Sequence, residues 1–361
     1  MKSKAAQAIQ QIMNSMTPSR SYPASPAMAT SPDDVRSGLL SVLGALHGSV
    51  VAIENLRKLS VGFSWITWSF DLLHAGRREE LILRLGPPDG LLAPYSAQPE
   101  AMIFAALQNS GVPVPRVTAT ADTDTPFHVP FLICQRMQGE ALIPWAINAD
   151  HARSDDGLQR IARQFIRILA EIHRIGGDSN AAAGLLDGVT TDNAALRQIE
   201  YWAARYRSQQ LQPYPIMERA LDWLRRHAPR APQVTVLHGD YRIGNFLVAD
   251  NDISAILDWE MVHAGDPHQD LAWALFPPFA LQKILARDEV CALYHDAGGC
   301  AVSLVGLAYY NVLNHFKMTV INMGALCNFA GGSNDLRLAS LGFLVPSHLA
   351  QLQRALREAG A

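Results

Sequence analysis

The stretch VLHGDYRIGN at residues 236–245, followed by ILDWE at residues 256–260, decides the fold. Two short apolar runs lie between the quoted stretches, and they flank ADND at 249–252, a sequence typical of a tight turn. A hairpin at this point returns the chain, so we expect Asp258 to lie close to Asn245. One carboxylate and one amide oxygen brought together in this way are suited to bind Mg²⁺.

The spacing within the first stretch indicates phosphoryl transfer. That reaction needs a carboxylate that orients the attacking hydroxyl and accepts its proton, and it needs oxygen ligands for the magnesium that bridges the nucleotide phosphates. Asp240 and Asn245 have the spacing of base and metal ligand in the protein-kinase catalytic loop. Each residue alone is more often a turn or cap residue, but the ordered set with Asp258 predicts a kinase.

These motifs, together with GDPHQDLA at 265–272, resemble the aminoglycoside-phosphotransferase and choline-kinase-like family. The resemblance covers residues 36–350, and within the family it is nearest to the phosphotransferase domains fused to acyl-CoA dehydrogenases. It implies a bilobal, protein-kinase-like α+β fold with a small antiparallel-sheet N-lobe and a larger, mainly helical C-lobe. It also implies that Asp240 is the catalytic base and that Asn245 and Asp258 hold Mg²⁺. Asp270 and His238 would brace the catalytic loop.

The same resemblance suggests where a nucleotide, ATP or GTP, binds. LSVGFS at 59–64 lies where the family has a phosphate loop, which usually carries two adjacent glycines, whereas this chain has Gly62 alone. Arg84 stands on the strand whose lysine pairs phosphates in the aminoglycoside enzymes, and a guanidinium is not geometrically equivalent to an ammonium. The remaining candidates for the nucleotide site are the loop residue Ser64, the ion-pair partner Glu100, and the hinge residues Gln135 and Met137.

The distribution of strand and helix patterns agrees with two lobes. Residues 1–33 read as a flexible segment, residues 34–136 as a nucleotide-binding N-lobe, and residues 137–361 as a C-lobe with the catalytic loop and substrate-binding helices. Asp34 is the predicted cap of the first helix. Strands are predicted at 51–59, 66–73, 80–85 and 130–136, and helices at 100–108, 158–175, 194–206, 216–227, 270–281 and 302–323.

Composition excludes several classes of protein. Of 361 residues, 49% are hydrophobic and 17% are charged, a balance that argues against disorder. The net charge of -3 and the absence of long single-sign runs indicate neither nucleic acid nor a membrane as a partner. Four scattered cysteines and the lack of an apolar leader suggest a reducing, cytoplasmic setting.

The acceptor is expected to be a small molecule that carries a hydroxyl. Acidic and basic residues nearly balance after Met261, so a neutral or anionic alcohol or a hydroxyacyl compound is favoured over a polycationic aminoglycoside. The candidate lining residues are Tyr309, Tyr310, Asn314 and His315.

Two other functions stay open at this point. One is a catalytically inactive, kinase-like nucleotide-binding protein, suggested by the single glycine and by Arg84. The other is a metal-dependent hydrolase, whose ligands would come from His238, Asp240, Asp258, His263 and His268.

Overall fold

The computed structural model of the protein describes residues 31–59, 62–144, 146, 155–178, 183–333 and 335–360. Nearly all of the predicted flexible segment 1–33, and Ser60 and Val61 of the predicted phosphate loop, lie outside the described residues. The first described helix, α1, is Pro32–His47. Its N-cap is Ser31, whose side chain accepts a hydrogen bond from the backbone N–H of Asp34, so the prediction of Asp34 as the cap was wrong.

The N-terminal part of the chain forms one five-stranded antiparallel sheet with the order β1-β2-β3-β5-β4. Leu39 and Leu43 of α1 pack on one face of this sheet, in a core that includes Phe70 and Leu83. The strands are β1 (Ala52–Leu59), β2 (Ile66–His74), β3 (Arg77–Leu85), β4 (Val117–Ala121) and β5 (Phe131–Gln135). Helix α2 (Gln98–Leu107) is inserted between β3 and β4.

The C-terminal part is mainly helical, and a 27-residue helix, α9, runs through it. This helix packs against α5, α6, α7, α10 and α11. The helices here are α3 (Asp155–Asp178), α4 (Ala183–Leu186), α5 (Ala194–Gln209), α6 (Pro215–Arg226), α7 (His268–Ala274), α8 (Arg287–Asp296), α9 (Leu304–Ala330), α10 (Leu336–Gly342) and α11 (Val345–Glu358). No helix in the described part of the chain has both the length and the apolar character needed to cross a membrane.

Short strands surround the predicted catalytic loop. Antiparallel strands β7 and β10 pair, and β8 pairs on its two sides with β6 and β9. The turn between β8 and β9 places Asp250 and Asn251 at φ 50° and 65°, which Asp and Asn tolerate better than most residues, and this is the predicted hairpin. These strands are β6 (Glu140–Ala141), β7 (Thr235–Leu237), β8 (Phe246–Ala249), β9 (Asp252–Ile256) and β10 (His263–Gly265).

The predicted helix at 270–281 was wrong at both ends. Helix α7 starts at His268 and stops at Ala274, and two short 3₁₀ turns, Pro277–Phe279 and Leu281–Lys283, follow it. Proline lacks a backbone N–H, and its ring clashes with the carbonyl four residues earlier, so Pro277 and Pro278 prevent continuation of the helix.

Candidate active site

The predicted catalytic loop follows β7 and makes a tight approach to the segment after Asp258. Gly239 has φ +82°, and a Cβ at this position would lie 2.2 Å from the carbonyl oxygen of Met261. Only glycine fits both the left-handed backbone and this contact. The glycine of the motif therefore allows the loop to pack against the chain that leaves Asp258.

Asp240 carries a largely buried carboxylate that is held by three side chains. The indole N–H of Trp273 donates to Oδ1 at 2.5 Å, and Asn245 Nδ2 donates to Oδ2 at 2.6 Å. Nε of Arg242 lies 3.2 Å from both oxygens. Donors to both oxygens fix the plane of the carboxylate, as a residue that must align with an attacking hydroxyl requires.

The hairpin brings Asn245 and Asp258 to neighbouring positions, as the sequence predicts. The backbone N–H of Leu257 donates to the Asn245 carbonyl at 2.8 Å. Because the Asn245 amide nitrogen is engaged by Asp240, its amide oxygen is the atom left for a cation. Asp258 has φ +67° and its side chain is 38% exposed, so its carboxylate is available to a ligand. This donor set, one carboxylate and one amide oxygen beside a second carboxylate, fits Mg²⁺.

Arg84 forms the predicted ion pair with Glu100. The Glu100 side chain is 3% exposed, that of Arg84 is 14% exposed, and a second guanidinium nitrogen lies 3.3 Å from Asp258 Oδ1. Burial acts to lower the pKa of Arg84, but the carboxylates around it outweigh burial and the pKa is raised. Burial raises the pKa of Glu100, and Arg84 opposes that rise. The pair, which also packs on Trp65, connects the N-lobe sheet to the Asp258 segment.

His238 and Asp270 hold the backbone of the predicted catalytic loop through hydrogen bonds. Asp270 accepts the backbone N–H groups of His238 and Gly239 at 2.7 and 2.9 Å. Burial would raise the pKa of Asp270, but the hydrogen bond from His173 and nearby imidazoles lower it. His238 Nδ1 accepts the Asp240 N–H at 3.2 Å, so its Nε2–H donates to the Leu257 carbonyl at 2.9 Å. Burial lowers the pKa of His238, and this neutral ring has both nitrogens engaged.

The other predicted nucleotide residues lie in the β1–β2 connection and at the end of β5. Gly62 is exposed at φ +83°, with open space where a Cβ would stand. Ser64 lies close enough to the Glu260 carboxyl to lower its pKa, against the larger effect of burial. The Gln135 N–H is already bonded to the Arg116 carbonyl at 2.9 Å, and Met137 lies two residues beyond the end of β5.

The four residues predicted to line the acceptor site do not face an accessible pocket in the structure. Tyr309 is 3% exposed, stacks on Trp223, and donates its hydroxyl to the Leu224 carbonyl at 3.1 Å. Tyr310 and Asn314 are at most 1% exposed, and His315, which packs edge-on against a phenylalanine of the C-lobe, is 8% exposed. These residues belong to the interior of the helical part.

A pocket of about 150 Å³ lies beside the loop instead. Its walls include Gly239, Glu260, His263, Lys317 and the aromatic ring of Trp202. Burial, with Asp258 nearby, raises the pKa of Glu260 well above its ordinary value.

The residues at the site that the sequence motifs did not identify include Trp273 and Lys317. Trp273 stands one helical turn after Asp270 and therefore on the same side of α7, a spacing that could have identified it. Lys317 is the only Asp, Glu, Lys or Arg in the sequence of α9, and a single charge in an apolar helix is the signal that could have identified it.

The ligand set imagined for a hydrolase is not assembled. His263 Nδ1 bonds the Met261 carbonyl at 2.7 Å, while His268 is engaged by Asp266 at 2.7 Å and by the backbone N–H of Ser303 at 2.8 Å. Over the ranges the structure describes, no three His, Cys, Asp or Glu side chains gather as a metal site.

Solved structures share the fold of this chain. A candidate aminoglycoside phosphotransferase from Ralstonia eutropha superposes with a TM-score of 0.68 at 22% identity, covering 89% of this chain and 98% of that one. The aminoglycoside phosphotransferase APH(4)-Ia, in a ternary complex with ADP and hygromycin B, has a TM-score of 0.57 at 17% identity and covers 90% and 99%. At identities this low, the superpositions establish a likeness of fold alone. They confirm the predicted bilobal α+β fold.

Two curated relatives match about two thirds of the chain. Acyl-CoA dehydrogenase family member 10 of Mus musculus is 31% identical over 254 residues, which are 68% of this chain and 22% of that protein. The human family member 11 is 25% identical over 277 residues, or 70% and 34%. This chain therefore spans about a fifth to a third of the length of these relatives, and the predicted resemblance to that branch is confirmed.

A family model described as the phosphotransferase enzyme family matches residues 57–299. The matched range contains the strand of Arg84, the catalytic loop and the hairpin that ends at Asp258, and it confirms the prediction of a phosphotransferase. By this match over more than half of its length, the chain belongs to the phosphotransferase enzyme family.

Proposed function

We propose that this chain transfers the terminal phosphoryl group of ATP or GTP to a hydroxyl of a small molecule. The observation that carries the proposal is the fixed Asp240 carboxylate beside the oxygen donors of Asn245 and Asp258. Asp240 accepts the hydroxyl proton as the new oxygen–phosphorus bond forms, and the bond to the nucleoside diphosphate breaks.

Asn245 and Asp258 are the proposed ligands of Mg²⁺. Held by these two residues, Mg²⁺ would offset the negative charge of the phosphates. Asp240 contributes to this arrangement by engaging the Asn245 amide nitrogen, which would leave the amide oxygen as the ligand atom.

Arg84, held by Glu100, is the proposed phosphate contact from the N-lobe. A guanidinium can donate two parallel hydrogen bonds to phosphate oxygens, and its burial against Trp65 limits its rotamers. Gly62 and Ser64 would approach the phosphates, and the backbone at Gln135 and Met137 would meet the base. In this assignment residues 34–136 bind the nucleotide and residues 137–361 carry out the transfer.

The acceptor is proposed to be a neutral or anionic alcohol or a hydroxyacyl compound. Lys317 contributes a buried ammonium to the pocket beside Gly239, and Arg242 adds a second cation next to Asp240. Burial raises the pKa of the Glu260 carboxyl, and with two cations close by this wall has little to attract a polycationic aminoglycoside.

The test is a turnover screen with Mg-ATP and Mg-GTP against hydroxy acids, hydroxyacyl thioesters and aminoglycosides, read as nucleoside diphosphate release. Asp240→Asn should lower kcat about 10²- to 10⁴-fold, the contribution of a positioned base. The same variant should keep nucleotide binding, seen as a thermal shift equivalent to about 2.7 kcal/mol at a hundredfold excess over Kd.

The matched control is Asp250→Asn, an exposed carboxylate in the β8–β9 turn at φ 50°, where asparagine is tolerated. It should turn over as the parent does. Nucleotide binding without turnover on any acceptor would favour the inactive kinase-like alternative, and unchanged turnover in Asp240→Asn would overturn the assignment of the base.

A further inference from the structure

Lys317 lies fully inside the C-lobe, directly behind the catalytic loop. It is 3% exposed, and its ammonium donates to the carbonyl of Gly239, the peptide that precedes Asp240. The nitrogen lies 3.8 Å from the centre of the Trp273 ring and 5.5 Å from that of Trp202. A buried charge is costly, so a lysine held here by one carbonyl and two aromatic faces calls for an explanation.

Trp273 connects this lysine to the base. Its ring is 2% exposed and stacks on Phe276, with 5.4 Å between centroids and 5° between planes. While its face covers the Lys317 ammonium, its N–H donates to Asp240 Oδ1 at 2.5 Å. The indole thus has one polar atom, and that atom is aimed at the carboxylate.

We propose that Trp273 and Lys317 are positioning residues for Asp240, an inference that rests on the proposed role of Asp240 as base. Lys317 donates a hydrogen bond to the Gly239 carbonyl, which precedes Asp240 in the chain. Its ammonium also packs on the ring of Trp273, whose N–H orients the Asp240 carboxylate. The two residues thereby fix both the backbone and the side chain of the base. A base that rotates away from the attacking hydroxyl loses rate without losing nucleotide affinity.

The charge on Lys317 gives the arrangement a pH dependence. Burial lowers the pKa of Lys317 to about 8, opposed by Asp240 and Asp270 and assisted by Arg242. On the pocket side it meets Glu260, whose pKa burial raises, and His263, whose pKa burial lowers, whereas α5 contributes Trp202 and other uncharged residues. The ammonium is therefore lost as pH rises through about 8, and kcat should fall over the same range.

The first test needs no acceptor. In ¹H–¹⁵N spectra, Trp273→Phe identifies the Trp273 indole signal, which should lie downfield because its N–H is bonded to a carboxylate. The signal should move upfield in Asp240→Asn and shift in Lys317→Met. If the chemical shift of the Trp273 indole N–H is the same in the parent, Asp240→Asn and Lys317→Met, then Trp273, Asp240 and Lys317 are not in contact as proposed, and the proposal is overturned.

The second test uses turnover of Mg-ATP, with water as the accepting hydroxyl if no better acceptor has emerged. Trp273→Phe keeps an aromatic ring and removes the N–H, and Lys317→Met removes the charge. Each should lower kcat about 10- to 100-fold, as expected for loss of a hydrogen bond to a charged group, with the KM for ATP within about twofold of the parent. Lys317→Arg should restore kcat and remove its fall above about pH 8.

Matched controls are Trp223→Phe, a buried indole on α6, and the exposed Lys283→Met. Both should leave kcat unchanged. If Asp240→Asn abolishes turnover while Trp273→Phe and Lys317→Met retain it, this inference fails and the proposed function stands. If Asp240→Asn itself keeps full turnover, the proposed function fails first.

Discussion

Replacing Glu100 by glutamine should destabilise the protein by leaving Arg84 as a buried cation with a poorer partner. The glutamine has nearly the same shape, so the change removes charge with little change in packing. In the parent, Arg84 is 14% exposed and is paired with a Glu100 side chain that is 3% exposed. Its remaining carboxylate, Asp258, is 3.3 Å away and is 38% exposed.

The magnitude follows from this geometry. Removing one partner of a buried ion pair costs about 3–5 kcal/mol. Because Asp258 can compensate in part, we expect the lower end for Glu100→Gln, about 3 kcal/mol. At about 2 °C per kcal/mol for a chain of this size, Tm should fall by about 6 °C.

The assay is a double-mutant cycle followed by thermal and urea unfolding. Arg84→Met with Glu100→Met replaces the pair by apolar groups of similar volume, and this double variant should lie within about 1 kcal/mol of the parent. The control is Glu79→Gln, which breaks an exposed ion pair with Arg116 at 3.1 Å and should cost less than about 1 kcal/mol. Glu100→Gln should also raise the Mg²⁺ concentration needed for turnover, because Arg84 then competes more strongly for Asp258.

Additive effects would refute this reasoning. If the separate effects of Arg84→Met and Glu100→Met add up to the effect of the double change to within about 0.5 kcal/mol, Arg84 and Glu100 are not coupled. A Glu100→Gln variant as stable as the Glu79→Gln control would lead to the same conclusion.

Three further changes test other parts of the site. Gly239→Ala should abolish turnover and lower Tm, because its Cβ would meet the Met261 carbonyl oxygen at 2.2 Å; Gly332→Ala, at φ +106° in open space, isolates the cost of backbone strain alone. In the parent, the free energy of unfolding should fall as pH drops below about 6.5, because burial lowers the pKa of the native His238 and the unfolded chain binds the proton first. His238→Asn should show a smaller fall, measured by urea unfolding at pH 7 and 5.5. Above about pH 8 the free energy of unfolding of the parent should rise with pH, because the folded Lys317 loses its proton before the unfolded one does. Lys317→Met should remove this rise, which approaches about 3 kcal/mol at about 1.4 kcal/mol per pKa unit. Equal slopes in both proteins would contradict the lowered pKa of the buried lysine.

The parts of the site that could be predicted from sequence are those set by local spacing. Asp240 and Asn245 lie on one loop, and a turn sequence with two left-handed positions returns the chain to Asp258. A hairpin of this length permits few arrangements, so the approximate positions of three side chains follow from residue order. The ion pair of Arg84 with Glu100 was also predictable, because a strand and the helix that follows it are neighbours in space.

The parts that could not be predicted depend on how distant segments pack. Lys317 meets the Gly239 carbonyl across 78 residues of sequence, and Trp273 meets Asp240 across 33. A periodic apolar pattern predicts that α9 is buried, but it does not determine which of its turns faces the catalytic loop. The four candidate lining residues lie two to eight residues earlier on the same helix, where they are buried among other parts of the C-lobe.

Asp240 and Asp258 are held by residues from different parts of the chain. Asp240 is held by Asn245, Trp273 and Arg242, all from the C-lobe, so its orientation does not depend on how the lobes are placed. Asp258 meets the N-lobe through Arg84, in a pair that is longer and more exposed than the pair with Glu100. The Arg84–Asp258 contact is therefore the weaker of the two ion pairs that Arg84 makes, and its loss would leave the contacts that orient Asp240 in place. A variant that weakens this contact should thus change nucleotide and Mg²⁺ requirements before it changes the rate of the chemical step.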